Sequence, residues 1–192
     1  MRNIRLRSAL KWAYHVQTEQ VSGPAWLDSE RYAIIAKAGE PVSEEQFRLI
    51  LQPLLRERFQ LKLHRESREM PVFVLSVDKG GPKFQRSMEA GEGGTRYGIA
   101  KKAIAAKATL SQFADSLTNP LRAVVLDETG LEGRYDFTLD LDVYEPGDIA
   151  PEEMPGIVAR GLREELGLKL ETRKTPVPVL VVDRAEREPV QN

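Results

Sequence analysis

The sequence contains no cysteine, which excludes disulfides, thiolate metal ligands and a cysteine nucleophile. Histidine is nearly as scarce, with His15 and His64 the two present. No apolar run approaches the ~20 residues of a membrane-spanning helix. Neither sign of charge is in excess: 28 basic side chains against 29 acidic give a formal net charge of −1. That balance supplies no field to gather nucleic acid or an anionic membrane, and no nucleic-acid partner is expected. The glycine-rich stretches "KGGP" and "GEGG" lack the helix opening of a phosphate loop. The serines show no nucleophile-elbow pattern.

What remains is a globular composition, 41% hydrophobic and 30% charged over 192 residues, enough for one large domain or two small ones. The opening "MRNIRLRSALKWAYHV" is basic and then apolar, as in a signal peptide. Arg5, Arg7 and Lys11 interrupt the apolar part, and no small-residue cleavage site follows. It reads instead as an amphipathic helix over 6–15, with Leu6, Ala9, Leu10, Ala13 and Tyr14 on one face. His15 at its end suits a cationic ring at the negative end of the helix dipole.

A strand is expected over Arg31–Ala38. Ser43 followed by Glu44 and Glu45 is a helix start, and the helix should run to Phe59, kinked or split by Pro53. Gln60–Glu69 and Pro71–Asp78 read as two paired antiparallel strands. Glycine-rich loops follow at Lys79–Phe84 and Glu89–Thr95. Arg96–Ala108 has helix-like composition, but its first half is assigned to strand. Thr109 caps a short helix, Ala123–Gly130 and Gly133–Val143 are strands, and Pro151–Gly167 is a helix stopped by Gly167. Leu168–Lys174 and Pro176–Asp183 then close as a strand pair.

The phrase "LRERFQLKL" from Leu55 returns as "LREELGLKL" from Leu162, about a hundred residues later. Arg31-Tyr32 similarly matches Arg134-Tyr135, Pro71-Val72 matches Pro176-Val177, and Asp78 matches Asp183. The expected fold is therefore α+β: two duplicated helix-strand-strand-helix-strand-strand units, with helices packed on small mixed or antiparallel sheets. The units would occupy residues 1–84 and 96–192, joined by a glycine-rich linker over 85–95. The second unit has a leading strand at its start, whose counterpart in the first would lie before Met1; a longer natural N-terminus is expected.

Three groups of residues could carry chemistry. His64 with Glu66 could act as an acid–base pair, although alternation with Leu61 and Leu63 places His64 on the solvent face, and Glu171 stands at the matching position of the second unit. Trp12, Tyr14, Trp26 and Tyr32 cluster early and could line a ligand groove or simply join the core. In "RYDFTLDLDV", alternation puts Phe137, Leu139, Leu141 and Val143 on the core face, leaving Asp136, Asp140 and Asp142 in a row opposite. Such a row could take Ca²⁺, although calcium wants more oxygen ligands than one strand supplies, or could serve as a charged, pairing-resistant strand face. No other cofactor is indicated.

The phrases "LKWAYHVQTEQVSGPAWLDSERYAIIAKA", "LLRERFQLKLHRESREMPVFVLSVDKGGPKF", "VVLDETGLEGRYDFTLDLD" and "LREELGLKLETRKTPVPVLVVDRAE" resemble a large paralogous family of soil bacteria, chiefly acidobacterial, known only as a domain of unknown function. The resemblance spans nearly the whole chain. It implies an export signal and a further N-terminal strand region, hence a periplasmic or secreted protein, and it implies no activity. More weakly, the element order and "VVLDETGLEGRYDFTLDL" are similar to the short N-terminal domains of secretins and TonB-dependent receptors, which are periplasmic interaction modules. The expectation is a non-catalytic exported module that binds a protein or small molecule. The alternative is a hydrolase of a small ester, lactone or glycoside, using His64 and Glu66 or a metal on the aspartate row.

Overall fold

A computed structural model describes residues 3–88, 91, 93–97, 102–144 and 149–190. Along the chain its elements are β1 (Ile4–Arg5), α1 (Leu6–Tyr14), β2 (Val21–Ser22), β3 (Arg31–Tyr32), α2 (Glu44–Arg58) and β4 (Lys62–Val77). There follow β5 (Gln85–Arg86), β6 (Gly94–Tyr97), β7 (Lys102–Ala108), α3 (Leu110–Leu121), β8 (Val125–Asp127), β9 (Tyr135–Asp140), α4 (Met154–Gly161) and β10 (Leu168–Arg184). The fold is mixed α+β. Of the glycine-rich stretch near residue 90, Glu89, Ala90 and Glu92 lie outside the described residues, as do Gly98–Lys101 of the ambiguous segment. The described remainder of that segment is strand.

The helices start where side chains can satisfy their first amides. Ser43 Oγ accepts from the Gln46 amide at 3.2 Å while Gln46 Oε1 accepts from the Ser43 amide at 2.9 Å. Thr109 and Gln112 make the same reciprocal pair at the start of α3. Helix α2 runs through Pro53 as one element, neither split nor ended there. Both copies of the doubled phrase lie where helical structure gives way to a long strand. The first closes α2 before β4, and the second forms a π-helical turn at Leu162–Leu166 before β10.

Two expected strand pairs are instead two long single strands. Gln60–Glu69 and Pro71–Asp78 merge into β4, and Leu168–Lys174 and Pro176–Asp183 merge into β10. A hairpin needs residues that reverse the chain, and neither "RESREM" nor "ETRKT" contains a glycine or an Asn/Asp turn pair. Pro71 and Pro176 fix an extended-compatible φ and push the residue before them toward extended geometry, so they continue the strand. The strand expected over Arg31–Ala38 is correspondingly shorter. It pairs only at Arg31 and Tyr32, because its partner β1 offers two residues, Ile4 opposite Tyr32 and Arg5 opposite Arg31. Ile34 is buried beyond the ladder, and Ile35 is 72% exposed.

The compact units are not sequential halves. One comprises residues 1–70 with 176–192, the other 71–175, so the expected boundaries at 84 and 96 both fall inside the second. In the first unit, β2 runs parallel to β10, with Val21 opposite Leu180. Its core gathers Leu6, Leu10 and Ala13 of α1, Leu51 and Leu55 of α2, and Leu180 and Val182 of β10. In the second unit, β4 runs parallel to β8, with Phe73 opposite Val125. An antiparallel sheet in the order β5-β9-β7-β6 lies in the same unit. Its core gathers Leu75, Phe113 and Leu117 of α3, Leu139 of β9, and Leu162 and Leu168.

Gly167 and Gly130 both take a left-handed backbone, at φ of +64° and +66°, but their surroundings differ. A Cβ on Gly167 would lie 2.0 Å from the Gly81 carbonyl oxygen, whereas one on Gly130 would meet nothing within 4 Å. Gly130→Ala should therefore cost only the conformational penalty of about 1–2 kcal/mol. Gly167→Ala must also displace backbone, and should cost at least about 1 kcal/mol more. Urea denaturation of the two variants against the parent checks both values.

Candidate functional site

A concavity of the first unit is built where α2 ends. Leu54 and Arg58 come from its last turns, Phe59 follows it, and Tyr32 arrives on β3. The chain after β10 then returns to this end of α2 and is tied there by backbone. The Glu186 amide donates to the Phe59 carbonyl at 2.8 Å, and the Val190 amide donates to the Arg58 carbonyl at 2.8 Å. Arg58 Nη1 donates to the Val190 carbonyl at 3.0 Å, and the Tyr32 hydroxyl donates to the Arg187 carbonyl at 2.9 Å. Between these walls lies a cavity of about 500 Å³. Tyr32, Ile34, Leu54 and Phe59 form its apolar surface, with Ile35 and the half-exposed Val190 at its rim. Among the described residues its lining includes two arginines, Arg31 and Arg58, and no aspartate or glutamate.

The four aromatic candidates divide among different roles. Tyr32 lines this cavity, its ring edge-on to Phe59 at 4.8 Å between centroids. Burial and the nearby Glu30 push its hydroxyl pKa up, with Arg187 opposing. Tyr14 is buried in the first unit's core, and its hydroxyl accepts from Arg56 Nε at 3.1 Å. Trp12 packs edge-on to Phe47 at 5.8 Å with the Arg48 guanidinium over its ring, and Trp26 carries Arg187 at 5.9 Å. Arg48 also contacts His15 Nδ1, so that ring faces a cation at the end of α1.

His64 and Glu66 lie together on β4, as alternation requires, and a third group joins them. His64 Nδ1 is 2.8 Å from Asp183 Oδ2 on β10, while Nε2 is 3.6 Å from Glu66 Oε2. Glu66 also accepts from Arg68, whose Nη1 donates to Ser22 Oγ at 3.2 Å. The hydrogen bond to Asp183 raises the His64 pKa above its ordinary value, with desolvation opposing. The bond from Arg68 lowers that of Glu66. This is an exposed charge network, and neither cavity described here is lined by it.

The aspartate row lies in the second unit. Alternation holds through Asp140, and then the chain tightens into a 3₁₀ turn over Leu141–Val143. Asp142 thus leaves the row expected of it, and Val143 is 73% exposed instead of facing the core. The cause is local: Asp140 Oδ1 accepts the Asp142 amide at 3.2 Å and caps the turn. Asp140 also pairs with Lys102 Nζ at 3.1 Å. Asp136 accepts the Lys107 amide at 2.7 Å, which holds its pKa below the ordinary carboxylate range. That amide is presented by a bulge in β7, where Lys107 takes φ of 50°. Among the described residues no three His, Asp or Glu side chains are grouped to hold a metal.

Asp136 also lines a second cavity, of about 720 Å³, with Phe84, Phe137, Arg86, Lys107 and Glu165. Its cations and carboxylates are mixed. Lys83 at its edge donates to the carbonyl of Glu164 at 2.8 Å, and Arg86 to that of Glu132 at 2.9 Å. Nearby, burial together with Glu165 pushes the Tyr144 hydroxyl up to about 12. No described helix is long and apolar enough to cross a membrane.

The sign of the His64 shift fixes a pH dependence. The protonated ring is favoured in the fold, so its stabilisation is complete below the ordinary histidine value of about 6.5 and is lost as pH rises through the higher folded value. The urea midpoint should therefore fall as pH rises above the ordinary histidine value of about 6.5 and through the higher folded value, and His64→Gln should remove that part of the slope.

No curated protein and no solved structure matches this chain. One family does, over nearly all of the elements just described: residues 7–185 match the family "Protein of unknown function (DUF3738)", and the chain belongs to it.

Proposed function

We propose that the chain is a binding module, taking a small apolar-bodied ligand in the cavity between the end of α2 and the C-terminal segment. The observation that carries this reading is the cavity itself. At about 500 Å³ it falls within the ~300–1,000 Å³ of small-molecule sites. It keeps Ile35 and Val190 at its rim, where water would otherwise cover aliphatic surface without compensation. The wider family resemblance supports a place outside the cytoplasm.

A hydrolase would have to draw on a metal at the aspartate row, which Asp142 leaves, or on His64, which is hydrogen-bonded to a carboxylate at 2.8 Å. Its other ring nitrogen faces Glu66 rather than a hydroxyl, and the ring stands on exposed surface. An ion-pair network that ties β4 to β10 accounts for both features without a substrate.

Nile red, a neutral apolar dye whose emission shifts on leaving water, tests the binding reading. The full chain should bind it saturably at one site. Ile35→Asp and Val190→Asp, both at exposed rim positions, should each weaken binding about tenfold or more with an unchanged melting temperature. Absence of saturable binding, or variants that bind as the parent does, would refute the reading.

A further inference from the structure

We propose that residues 33–37 form a docking edge for an extended peptide with acidic ends, which adds to them as an antiparallel strand. The inference goes beyond the small-molecule reading, because it draws on backbone groups rather than on the apolar lining of the cavity.

The segment is a strand in everything but its pairing. Burial alternates from 31 to 38: Tyr32, Ile34, Ala36 and Ala38 are covered wholly or in part, while Arg31, Ala33, Ile35 and Lys37 are exposed. Ile34 at 7% exposure and Ile35 at 72% mark the two sides. A period of two is the signature of extended backbone. The ladder nevertheless stops at Tyr32, because Asn3 takes φ of 56°, outside the extended region, and ends β1 at Ile4. In an extended chain alternate residues turn their N–H and C=O groups to the same edge, so Ala33, Ile35 and Lys37 share one. Among the described residues no hydrogen bond joins the backbone of Ala33, Ile35 or Lys37 to another part of the chain. Each therefore keeps a donor and an acceptor at strand spacing, a set whose complement is another strand.

Charge selects the occupant. The exposed side carries Ala33 and Ile35 between Arg31 and Lys37, with no carboxylate among these four. Arg31 Nη1 donates to the Asn3 carbonyl at 3.2 Å, which steadies the cation. A second copy of the chain added antiparallel about Ile34 would set each Arg31 against the other copy's Lys37. Like charges placed opposite one another destabilise a sheet. A segment with a carboxylate at each of those places and β-branched residues between them gains both charge pairs and the apolar contacts. The occupant is thus a partner's strand, acidic at its ends and apolar at its centre, and not a second copy.

Fluorescence anisotropy with the heptapeptide Glu-Thr-Val-Thr-Val-Thr-Glu, labelled through a glycine spacer and amidated, tests the assignment on the full chain. It should bind saturably, and about fivefold or more tighter than the same peptide with lysine at both ends. N-methylation of its two valine amides, which would donate to the Ala33 and Ile35 carbonyls, should abolish binding. N-methylation of the central threonine amide, on the far edge, should leave most of it. Lys37→Glu should erase the preference for glutamate ends over lysine ends. Absence of saturable binding, undiminished binding of the valine-methylated peptide, or a preference untouched by Lys37→Glu in a variant of normal melting temperature would overturn the assignment.

Discussion

The hydrophobic core of the first unit is completed by a strand segment that the chain delivers only after building the second unit. The first unit is assembled from residues 1–70, yet Leu180 and Val182 belong to its core. The second is assembled from 71–175, and its core takes Leu75 from the same strand that begins in the first. The chain passes between units twice, at Met70–Pro71 and Thr175–Pro176. In both places the strand continues through a proline, whose φ is compatible with extended backbone and which biases the residue before it the same way. Ordering the first unit therefore requires closing a loop of more than a hundred residues, a topology associated with slow folding.

The candidate site inherits the same dependence. Once β10 has been placed beside β2, residues 186–190 are carried to the end of α2, where two backbone hydrogen bonds, the Tyr32 hydroxyl and the Arg58 guanidinium hold them. The cavity has one wall from residues 31–35 and 54–59 and another from 189–190. Its shape follows from the strand that finishes the core. The guanidinium groups of Arg31 and Arg58 are positioned by carbonyls on distant stretches, at Asn3 and Val190.

What could be read from the sequence was local. The caps at Ser43 and Thr109, the buried stripe of α1 and the stop at Gly167 all follow from side chains within a few residues of one another. The mixed α+β class follows from the alternation of such segments. Tyr32 stands out in the sequence as an aromatic, but nothing near it in sequence indicates Val190 or Arg58 as neighbours. The pairing of His64 with Asp183 was equally hidden, because it needs β4 and β10 side by side. The two long strands look like strand pairs in the sequence for a physical reason. Polar residues in "RESREM" resemble a connection, yet a half-exposed strand bears polar residues too, and only the absence of turn chemistry separates the two. Asp142 left its row because Asp140 preferred a nearby amide to the continued strand.

Hydrogen exchange on Leu180→Ala in the full chain tests the dependence of the first core on this late segment most directly. Removal of a fully buried leucine side chain from a core costs about 2–5 kcal/mol. The amides of α1, which lie far from residue 180 in sequence and share its core, should accordingly lose protection by a factor of about thirty or more, and those of α3 by less. If α1 exchanges at the parent rate while loss of protection stays within β10, the first unit does not depend on that segment and the account is wrong.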